Sequence, residues 1–222
     1  MGKKVITPGG PLRGTIRPPG DKSISHRAVI LGAMSELSSP VVFSNYAPGD
    51  DCQRTIRCLQ ALGVEVVGRQ TSPLSIELNS PGLENLKEPG DILDCGNSGT
   101  TMRLLSGLLS SLPFYSVLTG DGSLRRRPMQ RITDPLCQMG AKILGREGGT
   151  FAPLSITGGH LLGLEYDSPV ASAQVKSAIL LAGINARGET WVTEPLPSRD
   201  HTERMLSCFG VEVLNFPPNG KQ

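Results

Sequence analysis

The chain has 222 residues, with 22 Lys and Arg against 20 Asp and Glu, for a formal net charge of +2. That near-neutral balance excludes a general nucleic-acid or membrane-surface binder, which needs a basic stripe. The length is long for one domain and short for two, and with 38% hydrophobic but only 4% aromatic residues the core must be aliphatic.

The cysteines (Cys52, Cys58, Cys95, Cys137, Cys208) are odd in number and form no C-x-x-C pair. Free, mostly buried thiols in a reducing compartment are expected. His26, His160 and His201 lie far apart without zinc spacing, so no metal and no cofactor are expected. No apolar run is long enough to span a bilayer. The opening Met1-Gly2-Lys3-Lys4-Val5 lacks a signal-peptide core. A soluble cytoplasmic protein with no membrane contact is the expectation.

Taken in order, Pro18-Pro19-Gly20 break any preceding strand, and Asp21 or Ser23 caps a helix near 23–35. Ile24, Ala28 and Leu31 fall on one face of it. Lys22, Ser23 and Arg27 then occupy its first turns. Cations belong at the other end of a helix. Stacked on free N–H groups they are unfavourable alone and favourable around an anion. Two readings compete: a capped surface helix with solvated charges, or a site for phosphate or carboxylate.

A strand near 40–46, a helix near 51–62 and strands near 64–69 and 73–78 complete a first unit. A second unit has strands near 91–94, 114–119, 141–146 and 153–157, with helices near 98–111 and 129–139. A third has strands near 164–167, 189–194 and 211–215, with helices near 172–184 and 199–209. Its closing strand is missing, and 216–222 is linker composition.

The units repeat in detail. Leu59–Val66, Leu136–Ile143 and Leu206–Val213 each read helix, Gly, strand, with Gly63, Gly140 and Gly210 as left-handed stops. Pro73-Leu74-Ser75-Ile76 is echoed by Pro153-Leu154-Ser155-Ile156. Polar caps recur at Asp21-Lys22-Ser23, Asn97-Ser98-Gly99-Thr100 and Ser172-Ala173-Gln174, each before an Ala/Leu-rich helix. The expected fold is therefore α/β (α+β): a threefold repeat of a βαβαββ unit with inner helices and outer sheets. All three caps would point to one end. That makes an electropositive surface from a neutral chain and favours the anion site.

Other motifs supply candidates. Gly96 and Gly99 let backbone approach a ligand, although no Walker lysine follows. Arg125-Arg126-Arg127 is a basic loop in which Pro128 holds Arg127 extended and aims it. Ser172 and Gln174 suit a polyol, or Ser172 is an ordinary cap. Ser198 or Asp200 caps the last helix, with His201 exposed. Asp50 and Asp51 are the best local carboxylates, although Asp51 reads equally as a helix cap.

Gly20–Ala28, Gly96–Thr100, Arg127-Pro128-Met129, Ser172-Ala173-Gln174 and Ser198–Glu203, in this order, resemble the 5-enolpyruvylshikimate-3-phosphate synthase family. The resemblance covers essentially the whole chain but only the N-terminal half of that two-lobed family. It implies one lobe of the enolpyruvyl transferase fold. Residues 1–19 would be a strand segment joining the other lobe, 20–215 the substrate-binding lobe and 216–222 a linker tail. It implies transfer of the enolpyruvyl group of phosphoenolpyruvate to shikimate 3-phosphate, in aromatic amino acid biosynthesis. Lys22, Ser23, Arg27, Ser172, Gln174 and Ser198 resemble shikimate 3-phosphate contacts. Lys22, Gly99, Arg127 and Gln174 resemble phosphoenolpyruvate contacts. Ala173 departs from the serine of one branch and Leu104 from its proline. Gly99 is retained, which implies room for glyphosate. The catalytic carboxylates would come from the other half, so this chain alone is expected to be inactive, and the complementary C-terminal lobe is its implied partner. Two alternatives are a UDP-sugar enolpyruvyl transferase, which should lack Ser-Ile-Ser-His-Arg, and a non-catalytic phosphate-ligand or RNA-binding module of the same architecture.

Overall fold

The first helix, α1 (Lys22–Met34), starts where its cap residue predicts: the Asp21 carboxylate accepts the Ile24 amide at 2.8 Å. The computed structural model describes residues 4–5, 7–11, 13–69 and 74–216. The expected start of a strand at Pro73 and the tail beyond Phe216 lie outside the described residues. Gly20 leads into α1 because nothing larger fits: a Cβ there would lie 1.7 Å from the Asn45 carbonyl oxygen.

After α1 come β1 (Val41–Phe43), α2 (Asp50–Ala61), β2 (Glu65–Arg69) and β3 (Ser75–Asn79). The second unit is β4 (Leu93–Asp94), α3 (Gly99–Ser110), β5 (Tyr115–Thr119), α4 (Gln130–Gln138), β6 (Lys142–Gly145), the single turn α5 (Arg146–Gly149) and β7 (Phe151–Thr157). The third is β8 (Glu165–Asp167), α6 (Ala173–Gly183), β9 (Trp191–Thr193) and α7 (His201–Cys208).

The sheets show the repeat. The second unit orders its strands β4-β5-β7-β6, with β4 and β5 parallel across α3 and the other pairs antiparallel. The first unit has the order β1-β3-β2, equivalent to β5-β7-β6, and the third, among the described residues, has the parallel pair β8-β9 across α6. The strand expected at 211–215 does not form; that segment has no regular structure. A strand needs a ladder partner, and the third unit offers none among the described residues. The strand expected at 40–46 shortens to Val41–Phe43.

The three helix–Gly–strand pieces close alike. Gly63, Gly140 and Gly210 have φ of +91°, +110° and +81°. Val64, Ala141 and Val211 each donate their amide five residues back, to Leu59, Leu136 and Leu206, at 3.0–3.1 Å.

The first helices of the units form the interior. All of α3 is buried, as are Ser25–Met34 of α1 and most apolar residues of α6. Helices buried on every side need apolar residues on every side. Ile24, expected on the apolar face, is 44% exposed because it lies in the first turn, at the open end. Gly107 lets α3 meet α6: a Cβ would lie 2.2 Å from the Ala178 carbonyl oxygen. Cys52, Cys58 and Cys95 are buried and Cys137 and Cys208 exposed, all as free thiols. No helix among the described residues is long and apolar enough to cross a membrane.

Candidate anion-binding site

The N-termini of α1, α3 and α6 lie together, and hydrogen bonds show it. From α1, Arg27 donates through Nη2 to Ser177 Oγ of α6 at 2.7 Å and through Nε to Thr202 Oγ1 of α7 at 2.6 Å. From α3, Thr100 Oγ1 accepts Gln174 Nε2 of α6 at 2.9 Å. Thr101 Oγ1 donates to the Asp51 carbonyl of α2 at 3.3 Å. Ser98 caps α3 by accepting the Thr101 amide at 3.1 Å, and Ser172 caps α6 by accepting the Val175 amide at 3.5 Å.

The residues singled out from the sequence all stand at this end. Lys22, with a side chain 59% exposed, pairs with Asp51 Oδ2 at 2.9 Å. Ser23 is half-buried and accepts Arg27 Nη1 at 2.7 Å. Gly99 opens α3; a Cβ there would lie 2.7 Å from Arg103 Nη1 and 3.4 Å from Arg127 Nη1. Arg127, extended before Pro128 as expected (φ −82°, ψ 133°), donates to Asn97 Oδ1, whose amide reaches Asp121. Its neighbours Arg125 and Arg126 are exposed. The Arg127 aim thus separates from the solvated basic loop.

Arg27 is placed differently from a simple surface contact. It is 3% exposed and commits all its N–H groups within the protein: Nε to Thr202, Nη1 to the Ser23 carbonyl and hydroxyl, Nη2 to Ser177 and the Ala173 carbonyl. Its direct effects are to hold Ser23 and to contribute charge. Ser198 does not cap α7. Its hydroxyl donates to Glu194 Oε2 at 2.8 Å, and Asp200, the N-cap residue, makes no side-chain cap bond. Asp51 is not a cap either, since Gly49 holds that position in α2. His201 is half-buried rather than exposed.

Sequence reasoning assigned no role to Arg103 or Glu194. Arg103 is 6% exposed, donates to Gln174 Oε1 at 2.8 Å and to the Pro128 carbonyl at 3.3 Å, and has a buried Nε without a partner. Burial, then Arg131 and Arg127, lower its pKa to about 10, so it stays charged at neutral pH. No carboxylate among the described residues pairs with it. A buried guanidinium flanked by two more and lacking a counter-ion is a place where a bound anion is stabilising. The signal was there in the sequence: Arg103 lies four residues after Gly99 in an otherwise Leu-rich helix, and helical side chains lean toward the N-terminus.

Glu194 follows β9 and links the two serines: it accepts the Ser172 amide at 2.9 Å and the Ser198 amide at 3.3 Å. Burial raises its pKa, but Lys176, Ser198 and Ser172 outweigh burial and hold it below the ordinary carboxylate value. His26 is fully buried and neutral, lowered to about 4 by burial, and its Nδ1 meets Thr55 Oγ1 at 2.7 Å.

The sequence matches the family profile of EPSP synthase (3-phosphoshikimate 1-carboxyvinyltransferase) over residues 6–218. The 3-phosphoshikimate 1-carboxyvinyltransferase of Bacillus pumilus is 55% identical over 203 residues, covering 91% of this chain and 46% of that protein. The enzyme of Pelotomaculum thermopropionicum is 56% identical over 202 residues, with the same coverage of 91% and 46%. Among solved structures, EPSP synthase from Acinetobacter baumannii superposes with a TM-score of 0.86 at 48% identity, covering 91% of this chain and 45% of that one. The chain spans about half the length of these relatives.

Proposed function

Because the chain belongs to the EPSP synthase family, we propose that it forms the lobe that binds shikimate 3-phosphate and phosphoenolpyruvate for enolpyruvyl transfer. The observation that carries this reading is the convergence of three helix N-termini beside Arg103, a buried cation with no counter-ion among the described residues. Free amides, hydroxyls and guanidinium groups together suit ligands with several negative charges. Lys22, Ser23, Ser172, Gln174 and Ser198 face shikimate 3-phosphate, with Arg27 behind Ser23. Lys22, Gly99, Arg127 and Gln174 face phosphoenolpyruvate.

The reaction adds a ring hydroxyl to C2 of phosphoenolpyruvate, protonates C3 and then expels phosphate. It needs a general base and acid near the vinyl group. The nearby carboxylates are engaged: Asp51 on Lys22, Asp121 on Asn97 and Glu194 on Lys176. The acid–base groups therefore come from the second half of the family's length, and these 222 residues bind without turnover. Among the described residues the first unit shows no counterpart of β4, and the third none of β6 and β7. Residues 1–19 pair with the other lobe, and 20–215 form the binding lobe. Activity belongs in the cytoplasm, where both substrates would be made. The RNA-binding alternative gains no support from a net charge of +2 with cations gathered at one end.

Titration with shikimate 3-phosphate, followed by backbone amide shifts, tests the reading. Shifts at Ser23, Ser172, Gln174 and Ser198 are expected. No shifts at millimolar ligand would overturn a preformed half-site, and steady turnover of both substrates by the pure chain would overturn the need for a second lobe.

A further inference from the structure

We infer that Glu194 is a positioning residue for the shikimate 3-phosphate end of the site, fixing Ser172 and Ser198 against each other. The inference rests on the functional reading above. Ser172 precedes α6 and Ser198 precedes α7, and no direct bond between the two serines is present. Glu194 is their common partner. Oε1 accepts the Ser172 amide at 2.9 Å, and Oε2 accepts the Ser198 hydroxyl at 2.8 Å and amide at 3.3 Å. One rigid carboxylate thus sets the spacing of two loops.

A carboxylate beside an anion site would ordinarily repel the ligand. Here it is neutralised. Lys176 Nζ lies 2.8 Å from Glu194 Oε2 and 2.6 Å from Glu203 Oε1, and the three side chains are only 12%, 8% and 8% exposed. Burial lowers the Arg27 pKa and Glu203 opposes that fall, so Arg27 lies in the field of the second carboxylate. Lys176 pairs directly with both carboxylates. The cluster also fixes hydrogen-bonding polarity. Ser172 Oγ accepts the Val175 amide and so retains its proton for a ligand, whereas Ser198 gives its proton to Glu194 and presents oxygen lone pairs. The arrangement joins residues of four segments: α6, the Ser172 loop, the β9–α7 loop and α7. Apolar replacements of a buried ion pair are often as stable, so the pair by itself is weak evidence for a purely stabilising role.

Shikimate 3-phosphate and phosphoenolpyruvate are each titrated into the full chain and into E194Q, E194D and E203Q, with binding read from amide shifts. E194Q is expected to weaken shikimate 3-phosphate about tenfold or more, the value of one charge-assisted hydrogen bond. It should leave phosphoenolpyruvate within about twofold, because Lys22, Gly99 and Arg127 do not touch Glu194 and Gln174 is held from α3 by Arg103 and Thr100. E203Q removes the other carboxylate on Lys176 but touches neither serine, so any change it makes should be shared by the two ligands rather than confined to shikimate 3-phosphate. E194D keeps the charge that Lys176 requires but is one methylene shorter, and should fall between wild type and E194Q. It carries the test should E194Q fail to fold. Wild-type affinity for shikimate 3-phosphate in E194Q or E194D would overturn the inference alone, as would equal loss for both ligands. Absence of shikimate 3-phosphate shifts in the wild-type chain would overturn the functional reading and the inference together.

Discussion

At Arg103 the demands of folding and of ligand binding oppose each other. Its guanidinium is 6% exposed, and among the described residues no carboxylate pairs with it. Desolvating such a charge is unfavourable until an anion arrives. R103M should therefore raise stability slightly, by about 1 kcal/mol, while phosphoenolpyruvate affinity falls at least about tenfold; thermal unfolding and ligand titration measure the two effects. Gly99 makes a second case. A Cβ 2.7 Å from Arg103 Nη1 would push that side chain off Gln174. G99A should keep the fold, because the first turn of a helix accepts alanine, and should weaken phosphoenolpyruvate about tenfold in the same titration. The sequence pointed to Lys22, Gly99 and Arg127 through their local motifs. It offered only a spacing from Gly99 for Arg103 and nothing for Glu194, because what distinguishes them is what lies around them: no counter-ion among the described residues in one case, two distant serines in the other.

The helices carry the argument at the next scale. Their caps and stops were readable because each is closed by bonds a few residues apart: Asp21 to Ile24, Ser98 to Thr101, and the amide after each stop glycine to the carbonyl five residues back. The cap of α7 was not, since Ser198 turns instead to Glu194. Nor was the absence of a strand at 211–215, whose apolar alternation is sound but which finds no ladder partner. Close packing between helices is set by single residues. Gly107 places α3 against α6 so tightly that a Cβ would lie 2.2 Å from the Ala178 carbonyl oxygen. G107A removes no interaction and gains helix propensity, yet should destabilise the protein by about 3 kcal/mol through overpacking, as denaturant unfolding would measure.

Across the whole molecule, one buried polar chain couples the inner helices. His26 Nδ1 meets Thr55 Oγ1, and Thr55 meets Thr101 Oγ1, each at 2.7 Å, joining α1, α2 and α3. Burial, aided by Lys22 and Arg27 and opposed by Asp51, lowers the His26 pKa from 6.5 to about 4. The unfolded chain therefore takes up this proton first as pH falls. The stability held by neutral His26 is fully present above pH 6.5 and is lost as pH drops toward 4. The loss is roughly 3 kcal/mol. Stability measured across this window should fall for the native chain and stay flatter for H26Q. Unequal sheets belong to the same scale: among the described residues there are four strands in the second unit, three in the first and two in the third.

The sequence by itself determined the repeat, the helix starts and stops, the aliphatic interior and the end of the molecule at which cations gather. These depend on periodicity and on hydrogen bonds that close within a turn, so nearby residues suffice to specify them. Only the tertiary structure decided what those cations do. Arg27 spends its N–H groups on partners as far away as Thr202, 175 residues on. Among the described residues Arg103 has no counter-ion, and Glu194 ties Ser172 to Ser198. The charge of a buried group is worth what its surroundings make it, and those surroundings exist only once the three units have packed.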